Sequence, residues 1–245
     1  MRTQIITTTM ALAAMILLNA CENNFVFTGV RPSDQITTQQ HYFTDYDQIE
    51  TESAFSVYVA FSDTEEKIEI EANDNLHQYI EVKEEAGSLK IGFRNNTSIN
   101  GPATLNAYIT TKNVTGYSGS GASRFIVDGD IRGESASVFL SGASRFSGEM
   151  HVNNLYADLS GASFMLLEGS ADSSDLKASG ASNIEDYEFS IDDLMIHLSG
   201  ASQASVTVSG KMDITVSGAS VVRYKGPGVI SSQNVSGGSQ VINMN

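Results

Sequence analysis

Tryptophan is absent from this chain of 245 residues, which contains one cysteine and three prolines. A single cysteine excludes an intramolecular disulfide and any cysteine-rich zinc site. Basic side chains are also few, because 14 Lys and Arg stand against 29 Asp and Glu, for a net charge of −15. A surface this acidic argues against nucleic acid as a partner, since phosphate backbones attract basic surfaces. With 41% hydrophobic and 18% charged residues, the composition is that of a folded protein and not of a disordered acidic tail.

Long apolar runs are missing too, and the N-terminal run from Met10 to Leu18, which follows the positive charge of Arg2, has only nine residues. That length is too short to span a bilayer and is typical of a signal peptide. The run ends in Leu18-Asn19-Ala20-Cys21, so the only cysteine stands where a bacterial lipoprotein box needs its acylated thiol. We predict a lipoprotein signal peptide over residues 1–20 and lipidation of Cys21. The alternative is an ordinary signal peptide with a cysteine nearby by chance.

Cys21 and the residues after it predict how the folded domain is attached to the cell envelope. Acyl chains on this residue would anchor an exported protein to the cell envelope, and we expect the outer membrane, on its periplasmic or its surface face. Residues 22–41 are rich in Thr, Gln and Asn and show no sustained period. Residues 21–42 are therefore predicted to be a flexible tether, and the folded domain is expected over residues 43–245.

Alternation of apolar and polar residues begins near Tyr42 and predicts strands with one buried face. Phe55 to Phe61 is a clear example. A second is the segment from Ile80 through Glu84-Glu85-Ala86-Gly87 to Phe93, which predicts a hairpin with a short glycine-containing loop. No segment of this region has a helical period, so the N-terminal part of the domain is expected to be rich in strands.

Seven copies of a small-residue tetrapeptide follow. Ser-Gly-Ala-Ser begins at residues 120, 141, 160, 179, 199 and 217, and Ser-Gly-Gly-Ser begins at residue 236. The intervals of 21, 19, 19, 20, 18 and 19 residues predict a solenoid. Apolar and polar positions alternate on both sides of each copy, so each tetrapeptide is predicted to be a corner between two strands. We expect positive φ or a close backbone approach at its glycine; these glycines are Gly121, Gly142, Gly161, Gly180, Gly200, Gly218 and Gly237.

A second glycine follows most corners at a variable distance, which predicts a looser second corner. The fourth coil has Glu185-Asp186-Tyr187-Glu188 at this place instead. The chain lacks both the six-residue period of left-handed hexapeptide helices and the leucine-rich repeat pattern. We therefore predict an all-β fold, a right-handed parallel β-helix with coils over residues 117–241.

The lipoprotein leader, the strand-rich entry and the repeated Leu/Val-Ser-Gly-Ala-Ser corner together resemble the auto-transporter adhesin "head GIN domain" family over roughly residues 43–240. The resemblance implies a pectin-lyase-like β-helix that is exported and lipid-anchored. It also implies a role in adhesion and no known catalytic residues.

Catalytic motifs are scarce. A polysaccharide lyase or hydrolase on a β-helix would need clustered carboxylates. The candidates are Asp128, Asp130, Asp158, Asp172, Asp175, Asp192 and Asp193. They fall at different registers near turns, where aspartate is favoured for local hydrogen bonds. The histidines are isolated in sequence, and we expect neither a metal nor a cofactor. A serine that recurs in every coil indicates a structural role and not a nucleophile.

Our leading hypothesis is a non-enzymatic, lipid-anchored envelope protein whose β-helix serves adhesion or binds a glycan or protein ligand. The alternatives are a carbohydrate-active enzyme and a purely structural envelope component. Little sequence remains after Val241 to cap the last coil. Because an open coil leaves strand edges unpaired, we also predict an end-on homo-oligomer.

Overall fold

The computed structural model describes residues 29–245. The predicted signal peptide, Cys21 and the first part of the predicted tether lie outside the described residues. The strands are β1 Ile36–His41, β2 Gln48–Thr51, β3 Ser56–Phe61, β4 Lys67–Asn73, β5 Ile80–Glu85, β6 Ser88–Phe93, β7 Leu105–Thr111, β8 Gly116–Gly119, β9 Arg124–Leu140, β10 Arg145–Leu159, β11 Phe164–Ala178, β12 Asn183–Leu198, β13 Gln203–Val208, β14 Lys211–Val216, β15 Val221–Lys225, β16 Val229–Val235 and β17 Gln240–Asn243. A short 3₁₀ helix spans Asp74–Leu76.

The strands form two stacks that run the length of the molecule. Stack A contains, in order, β5, β6, β2, β8, the second halves of β9 to β12, β14 and β16. Stack B contains β1, β4, β7, β3, the first halves of β9 to β12, β13, β15 and β17. From coil to coil the pairing is parallel, which confirms the prediction of a parallel β-solenoid, here of about seven turns.

The core lies between the two stacks and is filled by inward-facing columns. One column immediately precedes the corners and includes Leu140, Leu159, Ala178 and Leu198, all buried. Equivalent residues of neighbouring coils are hydrogen-bonded partners in register, so each coil covers the apolar side chains of the next. A single coil cannot bury its own inward face, and stability comes from its neighbours.

Three features recur at the predicted corners. The seven motif glycines have φ between 70° and 78°, the left-handed region that favours glycine. In the second to sixth Ser-Gly-Ala-Ser copies and in the closing Ser-Gly-Gly-Ser, the residue after the glycine donates its N–H to the carbonyl of the preceding coil's motif glycine, at 2.7 Å. In the first five copies the last serine is buried and its Oγ donates to the carbonyl oxygen of the first serine, at 2.6–2.9 Å. The corners therefore stack backbone on backbone.

A further coil precedes the first tetrapeptide. Strand β2 pairs in parallel with β8, and β3 pairs in parallel with β9. The chain turns between them at Ser53 and Ala54, which have φ values of 69° and 68°. The solenoid thus begins near residue 48 and not at residue 117. It was hidden from the repeat pattern because serine occupies the glycine position of its corner.

The predicted tether boundary at residue 42 is wrong, because residues 36–41 form β1 and pair with β4 in an antiparallel manner. The backbone before this strand is also held: Val30 forms a bridge with Ile99, and the N–H of Ser33 donates to Asn75 Oδ1 at 2.9 Å. The folded domain therefore includes at least residues 30–42, which have too little hydrophobic periodicity to be recognised as structure from sequence.

Residues 62–115 form an insertion that caps the N-terminal end of the solenoid. In this cap β4 pairs with β7 and β5 pairs with β6, both antiparallel. The predicted hairpin is confirmed: its loop is Ala86-Gly87, with φ of 54° and 82°, the conformation of a type I′ turn. Within residues 29–245, no helix is long and apolar enough to cross a membrane.

Candidate ligand-binding surface

The outer surface of stack A carries one column of side chains that changes character from coil to coil. In register, this column runs Glu50, Ser118, Phe139, Asp158, Lys177, His197, Thr215 and Asn234. Strand neighbours are about 4.8 Å apart, so consecutive members of the column are close enough to contact one ligand. We call this column and the side chains beside it face A.

Aromatic side chains stand at the middle of face A. Phe139 is 43% exposed, and its ring centroid lies 5.3 Å from that of Tyr156 on the next coil. Lys177 Nζ lies 4.8 Å from the Tyr156 ring centroid and 3.3 Å from Asp175 Oδ2. Hydrogen bonds to Tyr156 and Asp175 raise the pKa of Lys177 and keep its ammonium charged. Tyr156, itself in contact with Lys177, thus packs against one side of the Phe139 ring. The other side of Phe139 faces solvent.

A depression of about 250 Å³ lies on that open side. Small residues form part of it: Ser118 stands beside Phe139 in the column, and Gly119 follows Ser118. Carboxylates of Glu50 and Asp158 line the depression, as do Ser120, Ser141 and Ser160, the first serines of three corners. An apolar ring therefore borders a basin of hydroxyls and carboxylates.

A second depression, of about 390 Å³, continues the first onto the N-terminal cap. The two share Glu50 and Thr51. The second is lined by charged side chains of both signs, among them Lys83, Lys90 and Arg94. Lys90 Nζ lies 3.6 Å from Glu50 Oε2, so an ion pair stands where the two depressions meet. Together they make a polar groove along the N-terminal half of stack A.

A cluster that sequence spacing did not reveal lies at the second corner. Asp130, Glu149 and His151 have ligand atoms within 4.8 Å of one another, and in the described part of the chain they are the one such group of three or more His, Cys, Asp or Glu. His151 Nδ1 lies 2.9 Å from Asp130 Oδ1, and Arg132 forms an ion pair with the same carboxylate. The group offers one nitrogen and two carboxylates to a divalent cation, but Arg132 competes for Asp130.

The other predicted carboxylates are spread over several surfaces. Asp158 and Asp175 lie on face A, and Asp192 and Asp193 lie on β12, where they accept hydrogen bonds from Ser209 and from the backbone N–H of Lys211. The remaining candidates, Asp128 and Asp172, are exposed on β9 and β11. Of the seven, Asp130 alone belongs to the cluster described above.

One carboxylate on β12 is fully buried in the core, in the coil that lacks the second glycine. Asp186 replaces an inward apolar residue, since its register partner on the next coil is the buried Val206. Its Oδ1 accepts the N–H of Leu167 at 3.1 Å, and its Oδ2 has no hydrogen-bond partner. Burial raises the pKa of Asp186 well above its ordinary value. The hydrogen-bonded pairing of β11 with β12 is interrupted between Leu166 and Gly169. The Asp186 carboxyl accepts the N–H that this bulge leaves without a backbone partner.

Comparison with known families decides the identity of the domain. The family model described as "Putative auto-transporter adhesin, head GIN domain" matches residues 45–228. The chain belongs to this family. The match begins in the first coil, covers the N-terminal cap and ends in the seventh coil, so the head GIN domain is the solenoid with its cap. The family model and two of the solved structures given below carry the description putative adhesin and not that of an enzyme. This naming associates the domain with the cell envelope or the extracellular space.

Solved structures share the fold of this head GIN domain at low sequence identity. A crystal structure titled putative adhesin from Bacteroides fragilis has 18% identity and a TM-score of 0.80, with 88% of this chain and all of that chain covered. A structure titled putative lipid binding protein from Parabacteroides distasonis has 17% identity and a TM-score of 0.75, with 88% and 99% covered. A putative adhesin from the same species has 18% identity and a TM-score of 0.74, with 87% and 99% covered. No curated protein matches the chain.

Proposed function

We propose that the protein is a non-enzymatic adhesin that binds a glycan along face A and is held at the cell envelope by lipid on Cys21. Phe139 is the observation that carries the glycan proposal. It is a large apolar ring, half open to solvent on a flat sheet surface, and it borders a basin of hydroxyls and carboxylates. A sugar has an apolar C–H face and a rim of hydroxyl groups, and this surface complements both.

The contacts of a bound sugar follow from the geometry. Its C–H face would pack on the open side of Phe139, where burial of apolar surface is favourable. Its hydroxyls would donate to Glu50 and Asp158 and exchange hydrogen bonds with the corner serines, in line with the few convergent polar groups of ordinary ligand sites. Tyr156 and Lys177 would hold the Phe139 ring in place. A longer glycan would extend from this basin toward Arg94 along the shared groove.

The first test measures binding of the detergent-solubilised full chain to an immobilised glycan panel. We expect Phe139→Ala to lower the affinity of the best glycan by about tenfold or more, equivalent to about 1.4 kcal/mol. Leu166→Ala is the matched control, since Leu166 is an exposed apolar side chain on stack B. The affinity of this variant for the same glycan should stay within twofold of that of the unaltered protein.

A second test uses a surface to which the protein attaches and distinguishes a glycan ligand on it from a protein ligand. The surface is treated with deglycosylating enzymes or with protease before attachment is measured. Attachment that is lost after deglycosylation and survives limited proteolysis supports the proposal. Attachment with the reverse sensitivities, or equal effects of the two variants, overturns it.

The anchor has its own test in intact bacteria. Cys21→Ser should abolish incorporation of labelled fatty acid and move the protein from the membrane to the soluble fraction, because the acyl chains would no longer supply about 0.8 kcal/mol per buried methylene. Asn19→Ala, which changes the lipoprotein box without removing its thiol, is the matched control and should remain acylated and membrane-bound. Full membrane retention of Cys21→Ser would contradict the anchor. For the anchored protein, protease added to intact cells distinguishes the two orientations. Cleavage indicates the cell surface, and protection indicates the periplasm.

A further inference from the structure

The two ends of the solenoid protect their last strands differently. At the N-terminal end the outermost strand of stack A is β5, whose side chains Glu81, Lys83 and Glu85 are charged and joined by ion pairs. Charged side chains of this kind discourage edge-to-edge association. At the C-terminal end the outermost strands are β16 and β17, and among the described residues each pairs along one edge only. These two strands contain no charged residue.

The last coil also leaves core positions uncovered. Val235 is 40% exposed, whereas its register partner one coil earlier, Val216, is 1% exposed. In the same way Val241 is half-buried, while its partner Val222 is fully buried. The difference arises because inward side chains of a solenoid are covered by the following coil. Residues 226–245, which we call the terminal coil, thus present an apolar interior and two unpaired strand edges at one end of the molecule.

Charge identifies the partner that fits this end. The terminal coil has no Asp, Glu, Lys, Arg or His in a chain of net charge −15. The side chains of two copies meet without like-charge repulsion, and no charged side chain is buried between them. Docking onto the N-terminal end of another molecule would instead desolvate the ion pairs of β5, which is unfavourable. The terminal coil has 20 residues, and a standard-size interface uses about 20–30 residues on each side.

We propose that the protein forms a tail-to-tail dimer in which the terminal coils of two copies cover each other. The interface is isologous: the same surface is used by both copies, so assembly closes at two. Each copy pairs the free edges of β16 and β17 with those of its mate and covers the inward side chains of its mate's last coil. The N-terminal caps lie at opposite ends of the assembly.

Mass measurement on the detergent-solubilised full chain tests the dimer. We expect light scattering, corrected for bound detergent, to give twice the mass of one processed chain, as found by mass spectrometry of the same sample, at micromolar concentration. Val235→Lys should place a charge in the interface and halve the mass. Val241→Lys is a second variant with the same expected result, because Val241 also occupies an inward column and is only half-buried in the last coil; circular dichroism checks that both variants fold.

Ile36→Lys is the matched control at the other end of the molecule. Ile36 lies on β1 and is 49% exposed, so a lysine there should leave the dimer unchanged. A monomeric parent protein overturns the proposal. So does a larger species that Ile36→Lys disrupts, because that result indicates head-to-tail stacking. A dimer that survives both Val235→Lys and Val241→Lys also overturns it.

Discussion

Replacing Gly180 by alanine should destabilise the solenoid by about 3–5 kcal/mol. Gly180 has a φ of +75°, and a Cβ atom there would lie 2.4 Å from the carbonyl oxygen of Gly161. A positive φ costs a non-glycine residue about 1–3 kcal/mol, and overpacking adds about 1–3 kcal/mol. The clashing atom is backbone that already accepts the N–H of Ala181, so it cannot move without breaking the stack. Thermal and urea unfolding followed by circular dichroism measure the loss.

Gly238 provides the control for this variant. It occupies the alanine position of the last corner, its φ is not in the positive region, and an added Cβ would lie 3.7 Å from the nearest atom, an ordinary contact. Gly238→Ala should therefore leave stability unchanged or raise it by about 0.4–1 kcal/mol through the unfolded state. Similar losses in the two variants would show that the corner glycines are not required for the stacking described above.

Asp186→Asn should stabilise the protein at neutral pH by about 1–3 kcal/mol, because asparagine cannot ionise and so removes the cost of keeping a titratable carboxyl group in the core. Burial raises the pKa of the Asp186 carboxyl in the folded state, so below its ordinary value of about 3.9 both folded and unfolded states hold the proton. As pH rises toward the folded-state pKa, the unfolded chain ionises first and stability is lost. Asparagine keeps the acceptor for Leu167 N–H and removes this loss.

The measurement for Asp186→Asn is urea unfolding at pH 4 and pH 7. The difference between the variant and the parent should be large at pH 7 and small at pH 4. Glu185→Gln removes one charge from an exposed neighbour and should change stability by less than about 0.5 kcal/mol at either pH. Asp186→Val is expected to be less stable than Asp186→Asn, because valine leaves the N–H of Leu167 without an acceptor. A parent protein as stable as Asp186→Asn at pH 7 would contradict the buried-carboxyl interpretation.

The solenoid was predictable because its corners require one residue type. Only glycine combines a positive φ with backbone contact to the coil below, so Gly121 and its six counterparts recur and set the period. The first coil was not predictable in this way, since Ser53 accepts the same region of φ where no earlier coil of the same kind lies beneath it. Strand β1 was missed because its residues are polar and mostly exposed, and its order comes from backbone pairing to β4.

The candidate site was only partly visible in the sequence. Phe139, Asp158 and Lys177 already shared an outward column in the aligned repeats, and an aromatic residue among polar ones was the available signal. The contribution of Glu50 was hidden because it comes from the unrecognised first coil. The contact of His151 with Asp130 was hidden for a different reason: the residues are 21 positions apart, and only the coil period brings them together.

The solenoid has two different ends, and the number of coils sets the distance between them. Val30 is held within the N-terminal cap by its bridge to Ile99, whereas Asn245 lies in the coil at the far end. Each coil adds one strand spacing of about 4.8 Å and alters neither end. The distance from the N-terminal cap, where the chain enters the domain, to the outer surface of the last coil is therefore set by the number of coils. It does not depend on what the faces of the solenoid bind.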